Sequence, residues 1–587
     1  MKNQVLFIID SLNYEHVKHS KINLMPFLSE LEKKGISCSN MYSQAPYTEA
    51  AVMNIYCGQN VLDNDGYLLR FKNAPLTIFE AMKNKNFKTF YNSFQPQCYP
   101  SSLRRGVDHI YYNVGYDQAA LWSYRLKHYS EVYKNSALSE KDYNDLEDIL
   151  TDNFNEWLTF IKCFEENDES VNMIKSNASD YNTVMIKGLV QSEYDLFQEN
   201  SINYINELLE TGYDHRFFKI PSYRQNNKVK DKKVKTDVQD MYRPLLKKIR
   251  KLNMKLNFKN ALFKILKAPI HKLIVFIKHP NKLNLKEFAK SVYLSFNYLF
   301  DLDLNDRISD SYDSFKNAPS ARTHIQHYVN WAKQHANDGK HFACIHVDDI
   351  HNPEIFFTYD SDDKALLSKE LKDAYNLLNE IPSDYYGSIT HDLSLRYIDG
   401  VIKYFYTELE HNGLLEDTCI TICADHGFSF SGNPIRDSFV INLYLENYNI
   451  PFVITGCDKV ERIEKLCSSK DIPETICDLA DGEIPEEFTG KSVLRENNST
   501  LCIEYCGGGC PDIRRRMLKI AAYNEHYFVG TLATIDDKLL DHVTEIYNLK
   551  DDPKQEKNLI RHLYDDSEVN SLIQVIENRR MEIRKQL

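Results

Sequence analysis

Five apolar residues in a row, Val5-Leu6-Phe7-Ile8-Ile9, open the chain and end on a charged one, Asp10. An unbroken apolar run of this length predicts a strand buried on both faces, as in a parallel sheet covered by helices. Apolar positions at helical spacing from Met25, with Pro26 near the start and Gly35 just past the end, predict a helix. Ile36–Tyr42 reads as a second strand, Thr48–Tyr56 and Leu76–Lys85 as helices, and Lys88–Tyr91 as a strand. From about Gln118 to Phe300 strand signals fade and aromatic-rich amphipathic helices take over. Strands return at His341–Val347, Asp417–Cys423 and Ile450–Thr455, with helices over Ala321–Ala336 and Ser394–His411 between them. Short strands at Arg516–Ala522 and His526–Leu532 and a terminal helix finish the chain. Alternating strands and helices imply an α/β fold: a mainly parallel sheet with helices on both faces. The expected organisation is a catalytic core over 1–117 and 321–495. A helical insertion over 118–320 interrupts it, and a small α+β subdomain over 496–587 follows it.

Composition narrows the class. The chain has 587 residues, 43% of them hydrophobic, with only 20 Gly and 18 Pro, which excludes collagen-like, low-complexity and wholly disordered chains. No apolar run approaches about 18 residues, so no spanning helix is expected. The first residues do not read as a signal peptide, and thirteen scattered Cys suit reduced thiols, so a cytoplasmic location is expected. Charge is uneven. The chain carries net −13, yet Arg216–Lys290 holds 22 Lys/Arg against Asp231, Asp237, Asp240 and Glu287, a segment of +18 in a body of −31.

In parallel sheets ligands gather beyond the carboxyl ends of the strands. Asp10 and Asp425 both end apolar strands, and His426 follows directly. Two carboxylates and an imidazole are a donor set for zinc, manganese or magnesium, though a lone Asp at a strand end also caps helices. Thr48 stands where a loop enters a helix. It reads either as an ordinary N-cap or as a nucleophile in the positive field of the helix terminus.

Several segments together resemble the sulfatase family of the alkaline phosphatase superfamily. Val5–Asp10 is similar to that family's first strand with its metal-binding acid. Thr48 stands ten residues before Gly58, the spacing of the family's nucleophile before its Gly. Gly413–Thr418 with Ile420–Gly427 resembles the second metal-binding segment, and Asn447–Ile454 the strand after it. Asp471–Thr475 through Ile484-Pro485 to Gly490–Leu494, and Glu545–Pro553 with Glu556 and Asn558-Leu559, resemble later family stretches. The resemblance implies the family's fold and one divalent metal ion (Mn, Zn, Mg or Ca) on Asp10, Thr48, Asp425 and His426. Three departures redirect the chemistry: Thr48 cannot become the family's formylglycine aldehyde, Val52 replaces the motif's Arg, and the paired N-terminal acids shrink to Asp10-Ser11. A Thr nucleophile is the habit of the superfamily's phosphoglycerol and phosphoethanolamine transferases and phosphodiesterases.

The reading is therefore an enzyme, a hydrolase or transferase that attacks a phosphate ester of a glycan or lipid-linked substrate through covalent Thr48. Sulfate-ester hydrolysis is one alternative, and a non-catalytic membrane- or glycan-binding protein that kept the fold is another. His351 matches a His-x-Pro in which the imidazole contacts the anionic group, and with Asp348 or Asp349 it is a candidate for a second metal. Cys506-Gly507-Gly508-Gly509-Cys510 reads as a tight turn or a phosphate-approaching loop, and Asn442 and His526 are further polar candidates. The basic stretch 216–290 reads as a solvated helical face, as a landing site for a polyanion, or as peripheral membrane contact at the inner face. The last reading draws on Phe263–Lys267 and Lys272–Lys278, where Lys alternates with Leu, Ile and Phe. Nucleic acid is not an expected partner, because the body is acidic and no reading motif is present.

Overall fold

A computed structural model describes residues 1–67, 73–93, 105–112, 126, 130, 133–134, 137–165, 183–219, 243–252, 262–278, 280, 282–300, 320–351, 364–382, 388–428, 443–457, 459–496, 498–507, 513–560 and 566–587. The apolar run at the start forms β1 (Asn3–Ile9), buried along its whole length. It lies at the centre of an eight-stranded sheet. Parallel neighbours flank it: β6 (His341–Val347) on one side and β7 (Thr418–Ala424) on the other. Beyond β6 come β4 (Lys88–Ser93) and β5 (His109–Tyr112), both parallel. Beyond β7 lie β8 (Phe452–Thr455), which runs antiparallel, then β2 (Ile36–Cys38) and β9 (Glu461–Ile463). The mainly parallel α/β sheet expected from the sequence is thus present.

Helices flank the sheet, most with one apolar side turned inward. They include α1 (Tyr14–His19), α2 (Pro26–Lys34), α3 (Thr48–Cys57), which is buried nearly all round, and α4 (Ile78–Asn84). Thr77 caps α4 in a reciprocal box with Glu80, so this helix starts two residues later than its apolar pattern suggests. In the middle of the chain α5 (Glu140–Glu165), α6 (Thr183–Glu199) and α7 (Ser201–Thr211) gather about a hydrophobic cluster of their own, centred on Phe154, Trp157 and Tyr204. Next come α8 (Leu262–Lys278) and α9 (Lys282–Phe300), which pack on each other. The core resumes with α10 (Ala321–Gln334), α11 (Lys364–Glu380) and α12 (Ile389–His411). The last of these begins five residues before the predicted Ser394, capped by Ser388, whose side chain accepts from the His391 N–H. The predicted strand Ile36–Tyr42 divides at Ser39-Asn40: β2 joins the large sheet, while β3 (Met41–Tyr42) pairs with β10 (Cys467–Ser468).

After α13 (Ile472–Asp481) the chain forms a four-stranded antiparallel meander. Its strands are β11 (Leu501–Tyr505), β12 (Leu518–Tyr523), β13 (Tyr527–Ala533) and β14 (Val543–Asn548), and α14 (Ser567–Gln586) lies against it. A buried ion pair ties this unit to the loop after α3. The Arg579 guanidinium meets Glu504 at 2.7 Å and Asp63 at 2.7 Å, and Glu504 also accepts the Leu62 N–H at 2.8 Å. Burial alone would favour a neutral Arg579, but Glu504 and Asp63 outweigh it and raise its pKa. Arg579→Met leaves two carboxylates buried without their cation, so a loss of about 3–5 kcal/mol is expected. Urea unfolding of the full chain checks this, and an unchanged midpoint would remove the brace from the account.

Candidate active site

Register brings the site together. Ile9 pairs with Val347 on one side and with Ala424 on the other, so three central strands end at one level. Asp10 leaves β1 there, and Asp425 and His426 leave β7 beside it. The turn after Asp10 is strained: Ser11, not a glycine, adopts φ 63°. That conformation sends the Ser11 N–H to Asp425 Oδ1 at 3.0 Å, while its hydroxyl donates to Asp10 Oδ1 at 2.7 Å.

Thr48 opens α3, and its side chain is buried against the two acids' strand ends. Its Oγ1 donates to Asp10 Oδ2 at 3.1 Å and lies 3.3 Å from His426 Nε2. Because His426 Nε2 is also 3.5 Å from Asp425 Oδ2, the hydroxyl and that carboxylate sit within about 7 Å. The cap of α3 is not the Thr48 side chain, since Tyr47 holds the N-cap position with no side-chain cap bond. The Thr48 oxygen is instead turned toward the acids. At the far end Gly58, with φ 57°, closes the helix, and a Cβ there would come 2.9 Å from the Phe488 ring.

The donor set fits a cation. Asp10, Asp425 and His426 are each at most 1% exposed, and their ligand atoms lie within 4.8 Å of one another. His426 Nδ1 sits 2.8 Å from the Gly427 carbonyl, which fixes the proton on Nδ1 and leaves the Nε2 lone pair facing the acids. Asp425 Oδ2 is buried with no hydrogen-bond donor, an orphaned acceptor that a metal ion would satisfy. Burial opposes the charge on Asp10, yet His351, His426 and His346 with the Ser11 hydroxyl outweigh it and hold the carboxyl below its ordinary range.

His346 is a residue the sequence reading missed. It sits one position before the end of β6, with Nε2 3.8 Å from Asp10 Oδ2 and 4.0 Å from Asp425 Oδ2. Burial lowers its pKa against the pull of Asp425 and Asp10, favouring the neutral ring. The only signal was a polar residue inside an apolar strand pattern, Phe342–Val347, next to Asp348.

His351 follows β6 on a turn closed by its own N–H to the Asp348 carbonyl at 3.0 Å, and it is near enough to act on the Asp10 charge. Asp349 does other work. Its carboxylate accepts the Ala321 N–H at 2.8 Å and so holds the start of α10. Among the described residues, the second group of potential metal ligands is not Asp348, Asp349 and His351 but His16, His391 and Asp392. His16 Nε2 and Asp392 Oδ1 are 2.7 Å apart, a hydrogen-bond length. Two ligands on one ion, each about 2.1 Å from it, stand about 3 Å or more apart. This pair therefore ties α1 to α12.

Just past β11, Tyr67 donates to the Gly507 carbonyl at 2.9 Å and Arg516 donates to the Cys506 carbonyl. Gly508, Gly509 and Cys510 lie outside the described residues, as does Asn442. His526 is exposed and pairs with Glu568 on α14 at 3.0 Å.

Fold and site together define a mainly parallel α/β protein with two buried acids, an imidazole and a threonine hydroxyl at the carboxyl edge of its sheet, a donor set that fits a divalent cation. The sulfatase family model matches residues 2–174 and 177–482, and the chain belongs to the sulfatase family, a family of hydrolases. No curated protein sequence matches it. Among solved structures it aligns with a protein of the alkaline phosphatase superfamily from Vibrio parahaemolyticus, at 10% identity and TM-score 0.48, covering 100% of this chain and 88% of that one. It also aligns with a phosphonate monoester hydrolase from Silicibacter pomeroyi, at 12% identity and TM-score 0.45, covering 100% and 96%. A third match is a protein solved with its substrate D-glucosamine-2-N,6-O-disulfate, at 12% identity and TM-score 0.45, covering 100% and 98%.

Proposed function

We propose that this chain is a metal-dependent phosphoric ester hydrolase or phosphotransferase with Thr48 as its nucleophile. The observation that carries the reading is the Thr48 hydroxyl, which bonds Asp10 at 3.1 Å and stands 3.3 Å from His426 Nε2 at the head of α3. Asp10, Asp425, His426 and the Thr48 oxygen would hold one divalent ion. When bound, that ion supplies Lewis-acid charge that favours the Thr48 alkoxide and offsets charge on the transferred group.

The chain's own residues do the rest. Thr48 Oγ1 attacks phosphorus, a phospho-threonine ester forms, and the bond to the leaving alcohol breaks, with a proton going to that alcohol. Water or an acceptor hydroxyl then attacks the same phosphorus and returns the Thr48 hydroxyl. The start of α3 carries the positive end of the helix dipole beside Thr48, a favourable place for the transferred group's negative charge. His351, beside Asp10, would contact the same anionic group. The substrate is an anionic glycan or a lipid-linked precursor, met at the cytoplasmic face of a membrane.

Sulfuric esters are the second reading, favoured by family membership. Aryl phosphodiester and aryl sulfate assayed on one preparation separate the two. Turnover of the phosphodiester should exceed that of the sulfate, and peptide mass analysis after rapid acid quench should show on Thr48 one phosphoryl group that still carries the second ester substituent. A preference for sulfate, or a phosphoryl group elsewhere, would overturn the proposal.

A further inference from the structure

Helices α8 and α9 present to solvent the kind of surface that other helices of this chain bury. On α8, Ile270, Leu273, Ile274 and Ile277 stand at spacings of three and four residues, the pattern of one helical face. That face is open: the four side chains are 53%, 37%, 46% and 67% exposed. On α9, Leu285, Ala289 and Tyr293 form an exposed line at steps of four. Beside it runs a second line at the same step, Lys282, Lys286 and Lys290, all exposed. Residues 262–300 hold seven Lys and a single acid, Glu287. That acid lies 3.6 Å from Lys272.

We infer that the α8–α9 hairpin docks on the surface of a bilayer containing anionic lipid. An apolar face edged by lysines suits the boundary between acyl chains and headgroups. The Ile and Leu side chains enter the acyl layer, and the lysine stems run outward so that their ammonium groups meet lipid phosphates. Among the described residues no helix is long and apolar enough to cross a membrane, so the contact is peripheral. A second copy of the chain fits the face poorly, since pairing two hairpins would bring their lysine lines together. A soluble polyanion would use the lysines and leave the isoleucines without purpose. The inference bears on the lipid-linked form of the proposed substrate, but hairpin docking and catalysis are read by separate assays.

The test is sedimentation of the full chain with vesicles of phosphatidylcholine alone or with about one-third phosphatidylglycerol. Binding to the anionic vesicles is expected, weakening with added salt. Ile274→Ser with Ile277→Ser should lower vesicle binding at least about tenfold, because two buried aliphatic side chains leave the acyl layer. Lys282→Glu, Lys286→Glu and Lys290→Glu together should remove it. Both variants change exposed positions, so turnover of a small soluble aryl phosphodiester should stay at the wild-type level. Three results would overturn the inference: no binding of the wild-type chain, equal binding of the Ser variant, or a concentration-dependent dimer lost in the Ser variant. The second of these would point to a soluble polyanion.

Discussion

Thr48→Ala is expected to lower aryl phosphodiester turnover by about a thousandfold or more, the loss seen when a covalent nucleophile is removed. The oxygen it deletes is the one placed 3.1 Å from Asp10 and 3.3 Å from His426. The backbone should tolerate the change. Thr48 does not cap α3, and alanine is a better helix former than threonine. Thr48→Ser keeps a hydroxyl at the same position and should retain turnover within about tenfold of wild type. This contrast separates a lost nucleophile from a damaged fold. Full activity in the alanine variant, with an unchanged circular dichroism spectrum, would end the case for covalent catalysis at this residue.

Asp425→Asn should abolish stoichiometric metal binding and turnover together. The wild-type carboxylate uses Oδ1 for the Ser11 and His426 N–H groups, at 3.0 Å and 2.8 Å, and leaves Oδ2 without a donor. Asparagine can keep those two bonds through its carbonyl oxygen, but it offers the cation position an amide NH2 instead of a negative oxygen. The sign of the stability effect then depends on metal. In chelator-treated protein the variant should melt above wild type, because one of two buried acids beside Thr48 has been neutralised. With Mn or Zn added, only the wild type should gain, by about 2.7 kcal/mol when free metal is a hundred times Kd. Elemental analysis and paired melting curves read both effects. Equal metal content in the two proteins would show that the cation does not sit on Asp425.

Much of the fold was legible because burial on both faces leaves a plain mark. Val5–Ile9 is a continuous apolar segment, His341–Val347 and the run before Asp425 are mostly apolar, and each is a central strand. Edge and terminal strands left no such mark. His109–Tyr112 has a neighbour on one side only, and β14 alternates with polar residues, so both were passed over. The split of Ile36–Tyr42 was equally hidden, because pairing with β8 and β9 on one side of Ser39 and with β10 on the other is a non-local choice. The start of α12 at Ile389 depends on a Ser388 cap that apolar spacing does not reveal.

For the site, local sequence determined the residue types: an acid at a strand end, Asp-His at another, and a threonine at a helix start. Those follow from short-range pattern, which the chain carries in itself. Only the tertiary structure decided that they meet, because the register of β1 with β6 and β7 sets which ends lie level. It also added His346, drew Asp349 away to hold α10, and paired His16 with Asp392. The fate of the basic stretch belongs to the same category. Whether an apolar stripe on a lysine-rich helix is buried or open depends on what packs against it, and here the α8 face of Ile270, Leu273, Ile274 and Ile277 stays exposed.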